Sequence, residues 1–184
     1  MPAKKQISRE IILDAAVKML REGGIDSINV KSLSKKLNCS TQPIYLSFDS
    51  MDSLRLELSS AAVSVFLHEI GYDHNSDDAH LYGITYIKFA EKEKKLFQYL
   101  FMRKNAFSEL KAALTPIMTN SIVQLMKRYQ IEYDEAHHLH DQLWVHTHGI
   151  ASMIATDFCD WNMDKISRML KECEFFLCQK YLKP

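Results

Sequence analysis

The stretch Ile28-Asn29-Val30-Lys31-Ser32-Leu33-Ser34-Lys35-Lys36-Leu37-Asn38-Cys39-Ser40-Thr41-Gln42-Pro43-Ile44-Tyr45-Leu46-Ser47-Phe48 decides how this chain folds. It reads as two short helices. Asn29 is placed to cap the first, about Val30 to Leu37, in which Leu33 and Leu37 face inward and Lys31, Lys35 and Lys36 face outward. Asn38 follows, the non-glycine residue that most readily takes the left-handed conformation that ends a helix. Ser40 reads as the cap of the second helix, about Thr41 to Phe48, which places Pro43 at the third helical position. There its missing N–H costs nothing, and the cap must act through the N–H of Gln42. Two short helices joined by about three residues have the spacing of a helix-turn-helix.

Working outward, Ser8 caps a preceding helix whose apolar stripe is Ile12, Ala15, Ala16, Met19 and Leu20. Ile7 and Ile12 occupy the two positions of a hydrophobic staple, and Gly23 and Gly24 end the helix. Asp49 and Ser50 open a longer fourth helix, with Leu54, Leu58, Ala61, Ala62 and Val65 periodic along it. The segment Tyr72 to Asp78 reads as a loop. Beyond it the pattern predicts helices over about 79–93, 95–102, 105–130, 134–157 and 162–181, with Pro116 kinking the third and breaks at Tyr133-Asp134 and Asp160-Trp161-Asn162.

Composition agrees. Only five glycines and four prolines interrupt 184 residues of which 47% are hydrophobic, which favours long helices around a real core and argues against disorder. No strand alternation and no repeat is visible. The net charge of zero is unevenly spread: residues 1–48 hold eight Lys and Arg against four Asp and Glu, a net +4, so the remainder carries −4. A basic head on an acidic body suits nucleic-acid binding, because phosphate contacts supply most non-specific affinity. The four cysteines lack paired spacing, and no apolar run is long enough for a secretory signal or a membrane span; a reduced, cytoplasmic protein is expected.

The head resembles that of the TetR family of transcriptional regulators. The resemblance rests on Asn38-Cys39-Ser40, a small–apolar–Ser turn, followed at the family's spacing by Tyr45 and Phe48, and on Asp49 to Leu54, which is similar to the start of the family's connecting helix. A second, scattered match covers Trp144 to Met153, similar to a Trp…His-Gly stretch of family C-terminal domains, and Tyr86 to Ala90 with Leu96-Phe97. Two departures stand out. Asn38 replaces a usual Gly, and Met51 occupies the segment in which relatives carry a phosphate-binding Lys.

The resemblance implies an all-α fold: a three-helix DNA-binding head over residues 1–50 and a helical effector-binding and dimerisation domain over 51–184. It places Thr41, Gln42, Pro43, Leu46 and Ser47 at the major groove and Tyr45 at a phosphate, with Lys31 and Ser40 as further DNA contacts. Such contacts make chemical sense, since Gln pairs with adenine in bidentate fashion and Thr and Pro groups meet a thymine methyl. The implied partners are double-stranded DNA carrying a palindromic operator, a second copy of the chain and an unidentified small-molecule effector. The implied activity is repression relieved by that effector.

Other constellations point to less. His137, Asp141, Trp144 and His148 share one helical face, but a His/Asp pair with a distant His is short of a zinc site, and neither a metal nor a cofactor is expected. The aromatic and Met-rich middle of the chain builds mostly core; Tyr82, Tyr86, Phe97, Phe101, Met118 and Trp144 are the positions assigned to an effector pocket. The last two helices carry more apolar residues than one buried stripe each requires. Ile150, Met153, Ile154, Met169 and Phe176 are therefore assigned to a dimer interface. The competing readings are a head controlled by a protein partner with no small-molecule cavity, and a helical-bundle cofactor enzyme. No glycine-rich phosphate loop or nucleophile elbow supports the enzyme.

Overall fold

A computed structural model describes residues 7–71 and 79–181, apart from the side chains of residues 79–82, 107 and 180. The loop expected over Tyr72–Asp78 lies outside the described residues. Among those described, nine α-helices and no strand are present. They are α1 (Arg9–Gly23), α2 (Val30–Lys36), α3 (Gln42–Ser47), α4 (Met51–Glu69), α5 (Ala79–Lys92), α6 (Lys94–Phe101), α7 (Ala106–Tyr129), α8 (Tyr133–Ala155) and α9 (Met163–Cys178). Single 3-10 turns occupy Ile25–Ser27 and Gln179–Tyr181. The chain divides into two compact units, residues 1–65 and 66–184, and the division falls inside α4.

In the first unit, α1 packs against α2 and α3. Its stripe of Ile12, Ala15, Ala16, Met19 and Leu20 is buried, as helical periodicity requires, together with Ile28, Leu33, Ile44, Phe48, Leu54 and Leu58. Ser8 caps α1 by accepting the N–H of Ile11 at 3.4 Å. Gly24 closes it at φ 76°, a left-handed backbone for which glycine is suited. Asn38 takes φ 50°, as its place in the turn predicts.

The expected cap of α3 needs correction. The helix begins at Gln42, Thr41 is its cap residue in place of Ser40, and Pro43 falls at the second helical position. No side chain caps it. The reason lies in the donors: Pro43 has none, and the N–H groups of Ile44 and Tyr45 already bond the carbonyl of Thr41 at 3.2 and 3.3 Å. Ser50 opens α4 through a reciprocal pair, Ser53 N–H to Ser50 Oγ at 3.1 Å and Ser50 N–H to Ser53 Oγ at 3.2 Å.

The second unit is built around α8, which packs against α5, α6, α7 and α9. Its core includes Ile87, Phe89, Leu96, Phe97 and Leu100 with Ile150, Ala151 and Ile154 of α8. A second cluster gathers Ile122, Leu125, Ala136, Leu139 and Cys178. The break expected at Tyr133-Asp134 falls three residues earlier, where Gln130 takes φ 52° and ends α7. Asp157, also left-handed at φ 56°, follows the end of α8. Pro116 sits inside α7, where one backbone hydrogen bond is necessarily missing.

Candidate functional site

The surface of the first unit follows from the pitch of α3. Six residues make fewer than two turns, so one face can be anchored and the rest must face outward. Ile44 is the anchor, 2% exposed, with Phe48 behind it. Thr41, Gln42, Tyr45 and Leu46 are exposed, Leu46 at 79%, and Pro43 and Ser47 are half-buried. Lys31 and Ser40 are exposed beside them in sequence.

Three devices hold this surface. At the start of α2, Asn29 Oδ1 accepts the Ser32 N–H at 3.0 Å while Ser32 Oγ accepts the Asn29 N–H at 2.9 Å and donates to the Ser27 carbonyl at 2.8 Å. Lys36 Nζ meets Glu22 Oε2 at 2.9 Å, tying α2 to α1. Arg9 on α1 lies 4.3 Å over the Phe48 ring, pairs with Glu57 on α4 and donates to the Ser47 carbonyl at the end of α3. The hydrogen bond from Arg9 holds the Glu57 carboxyl below the usual carboxylate range. Arg9 therefore locks three helices at one point. Sequence reading missed it, because its partners lie 38 to 48 positions away.

The second unit contains a cavity of about 380 Å³. Its apolar walls come from Phe66 and Ile70 on and after α4, Tyr86 on α5, Phe101 on α6, Leu114, Ile117, Met118 and Leu125 on α7, Leu143 and Trp144 on α8, and Leu170 on α9. Its polar groups are Ser121, Gln124 and Arg128 on α7, His140, Asp141 and Thr147 on α8, and Glu174 on α9. Phe66, Tyr86 and Phe101 meet edge to face, with centroids 5.0 to 6.1 Å apart. The Tyr86 hydroxyl lies 2.9 Å from His148 Nδ1, and burial drives the phenol well above its ordinary range and the imidazole below its own. Away from that group His140 Nδ1 lies 3.1 Å from Ser121 Oγ. Glu174 Oε1 accepts the Tyr129 hydroxyl and meets Arg128 Nη1, both at 3.0 Å.

Four of the six expected pocket positions line this cavity: Tyr86, Phe101, Met118 and Trp144. Phe97 does not. It is fully buried core, stacked on His148. The side chain of Tyr82 lies outside what the structure describes. Of these polar groups the sequence singles out Asp141, as part of a possible metal face; the others are ordinary polar or charged residues of amphipathic helices until three helices converge.

The residues assigned to a dimer interface separate in the same way. Ile150 and Ile154 are buried in the chain's own core and present no surface, and Met169 is half-buried. Met153 is exposed, and Phe176 is 72% exposed. Val145, Phe158 and Phe175 extend the bare apolar surface. Among the described residues no three of His, Cys, Asp and Glu converge as metal ligands. His137 Nδ1 and Asp141 Oδ2 are 3.7 Å apart, beyond hydrogen-bond range. Among those residues, too, no helix is long and apolar enough to cross a membrane.

No curated protein matches the sequence. Residues 12–58 match the family model described as "Bacterial regulatory proteins, tetR family". That segment contains the buried stripe of α1, the capped α2, the Asn38 turn, the exposed α3 and the first part of α4, which together are the helix-turn-helix unit described above. Residues 12–58 therefore form a helix-turn-helix DNA-binding domain of the TetR-family type.

Proposed function

We propose that this chain is a homodimeric repressor, acting in the cytoplasm, that leaves its operator when a small molecule fills the cavity of the second unit. The observation that carries the proposal is the cavity itself. A space of about 380 Å³ with mostly apolar walls and a few convergent polar groups is what a small-ligand site requires, and well-packed cores leave few voids larger than a water molecule. Phe66 and Ile70 stand at the C-terminal end of α4, whose earlier turns belong to the first unit. A ligand touching them contacts the helix that leads to the DNA-binding residues.

On the DNA side, Thr41, Gln42, Pro43, Leu46 and Ser47 meet the major groove, Tyr45 a phosphate, and Lys31 and Ser40 the flanking backbone. Two such units read half-sites about one helical turn apart, roughly 34–36 Å, on a palindrome. Met153, Phe158 and Phe176 supply apolar surface for pairing two copies. Ligand then favours the body conformation in which the two units no longer match that spacing.

The test begins with selection of bound sequences from random duplex DNA by the full-length protein, followed by a compound screen that scores both thermal stability and release of the selected DNA. A palindrome and at least one compound active in both assays are expected. No compound active in both would favour control by a protein partner instead.

A further inference from the structure

We infer that the effector is an amphipathic organic cation, its apolar body among Phe66, Tyr86 and Phe101 and its amine head at Asp141. This deepens the effector reading above and rests on it.

The shape of the cavity comes first. Its lining on α7 runs from Leu114 to Arg128, fourteen residues apart, or about 21 Å along a helix rising ~1.5 Å per residue. A volume of about 380 Å³ spread over such a length is a long, narrow space. Its two ends differ. Gly83 faces Thr147 within 3.9 Å of where a Cβ would stand, which sets Thr147 at the end formed by Tyr86, Phe66 and Phe101. His140 and Asp141, two turns earlier on α8, sit level with Ser121, midway along the α7 lining, and Arg128 with Glu174 lies beyond them at the far end. One end is aromatic, and every formal charge in the lining, at Arg128, Asp141 and Glu174, lies away from it.

The sign of that charge selects the head group. Two carboxylates stand against one guanidinium, and that guanidinium is already directed to Glu174 Oε1 at 3.0 Å. Glu174 is 9% exposed, so its charge is only weakly screened by water. Burial keeps His140 neutral by lowering its pKa, and His137, the other titratable neighbour of Asp141, stays 3.7 Å away. One negative charge is left at Asp141. An anionic head would meet it with like charge, whereas an ammonium offsets it. Trp144, three residues along from Asp141 and 40% exposed, lines the cavity with one face of its ring stacked on His148 and leaves the other for the same cation.

The probes are decyltrimethylammonium, 1-decanol and decanoate, which share one chain and differ in head charge. Calorimetric titration into the full-length protein below micelle-forming concentrations is paired with Trp144 fluorescence in a W161F background. The ammonium probe should bind at least tenfold more tightly than either of the others. D141N, a change at a half-exposed position, should reduce that ratio at least threefold while leaving decanol affinity unchanged. Equal or tighter binding of decanol or decanoate overturns the cation assignment and leaves the effector reading standing if that probe releases DNA. An unchanged ratio in D141N overturns the role given to Asp141. Binding of the ammonium without DNA release upholds the ligand class and overturns release, and binding of none of the three overturns the ligand class and leaves the effector reading to the compound screen.

Discussion

Ile44 offers the most direct test of how the exposed face of α3 is held. It is the one buried residue within a six-residue helix that has no side-chain cap, so the helix is kept in place chiefly by this contact and by Phe48 immediately after it. Ile44→Ala removes three carbons from a site 2% exposed. At about 0.8 kcal/mol per buried methylene this is roughly 2.4 kcal/mol, and the unfilled space brings the expected loss to about 2–4 kcal/mol. Ile44→Val removes one carbon and should cost about 0.5–1.5 kcal/mol. For a unit of this size 1 kcal/mol lowers Tm by about 4–8 °C. The valine variant should therefore melt a few degrees lower and still bind operator. The alanine variant should lose most of the stability of the first unit, along with operator binding. Scanning calorimetry resolves the units, and fluorescence anisotropy on operator DNA follows binding. If Ile44→Ala leaves both the Tm and operator affinity within error of wild type, or lowers the melting of residues 66–184 instead, the anchoring argument is wrong.

Gln42→Ala should cost about 1–3 kcal/mol of discrimination at one base position, seen as relaxed preference there in binding to single-substituted operators. Lys31→Ala should weaken binding to all sequences alike and reduce the slope of log affinity against log salt by about 0.9. Burial holds His140 and His148 below the ordinary histidine value of 6.5, so as pH falls the unfolded chain takes up protons first. The stability they provide is complete above 6.5 and is lost as pH drops through their folded-state values; thermal melts across that window should show it, and His148→Asn should flatten the curve. Phe158→Glu and Phe176→Glu should give monomers at micromolar concentration by sedimentation, since removing about 1.5–3 kcal/mol from each of two symmetry-related sites weakens association roughly hundredfold or more. Unaltered dimers in both variants would place the interface elsewhere.

The sequence by itself determined what depends on neighbours along the chain. The stripe of α1, the Ser8 and Asn29 caps and the left-handed Asn38 were legible because each follows from residues within about four positions. Helical type across the second unit was legible for the same reason, since a 3.6-residue period and few glycines leave little alternative. The start of α3 was off by one residue because competition among backbone donors around Pro43 is settled by geometry rather than residue type. Only the tertiary structure decided which apolar residues are core. Phe97, Ile150 and Ile154 look no different in sequence from Phe101, Met153 and Phe176, yet the first three are enclosed and the others face the cavity or the outside. The lock formed by Arg9 and the charged lining of the cavity were invisible for a related reason. Arg128, Asp141 and Glu174 belong to three helices, and that they line one cavity is a property of packing that no local pattern encodes.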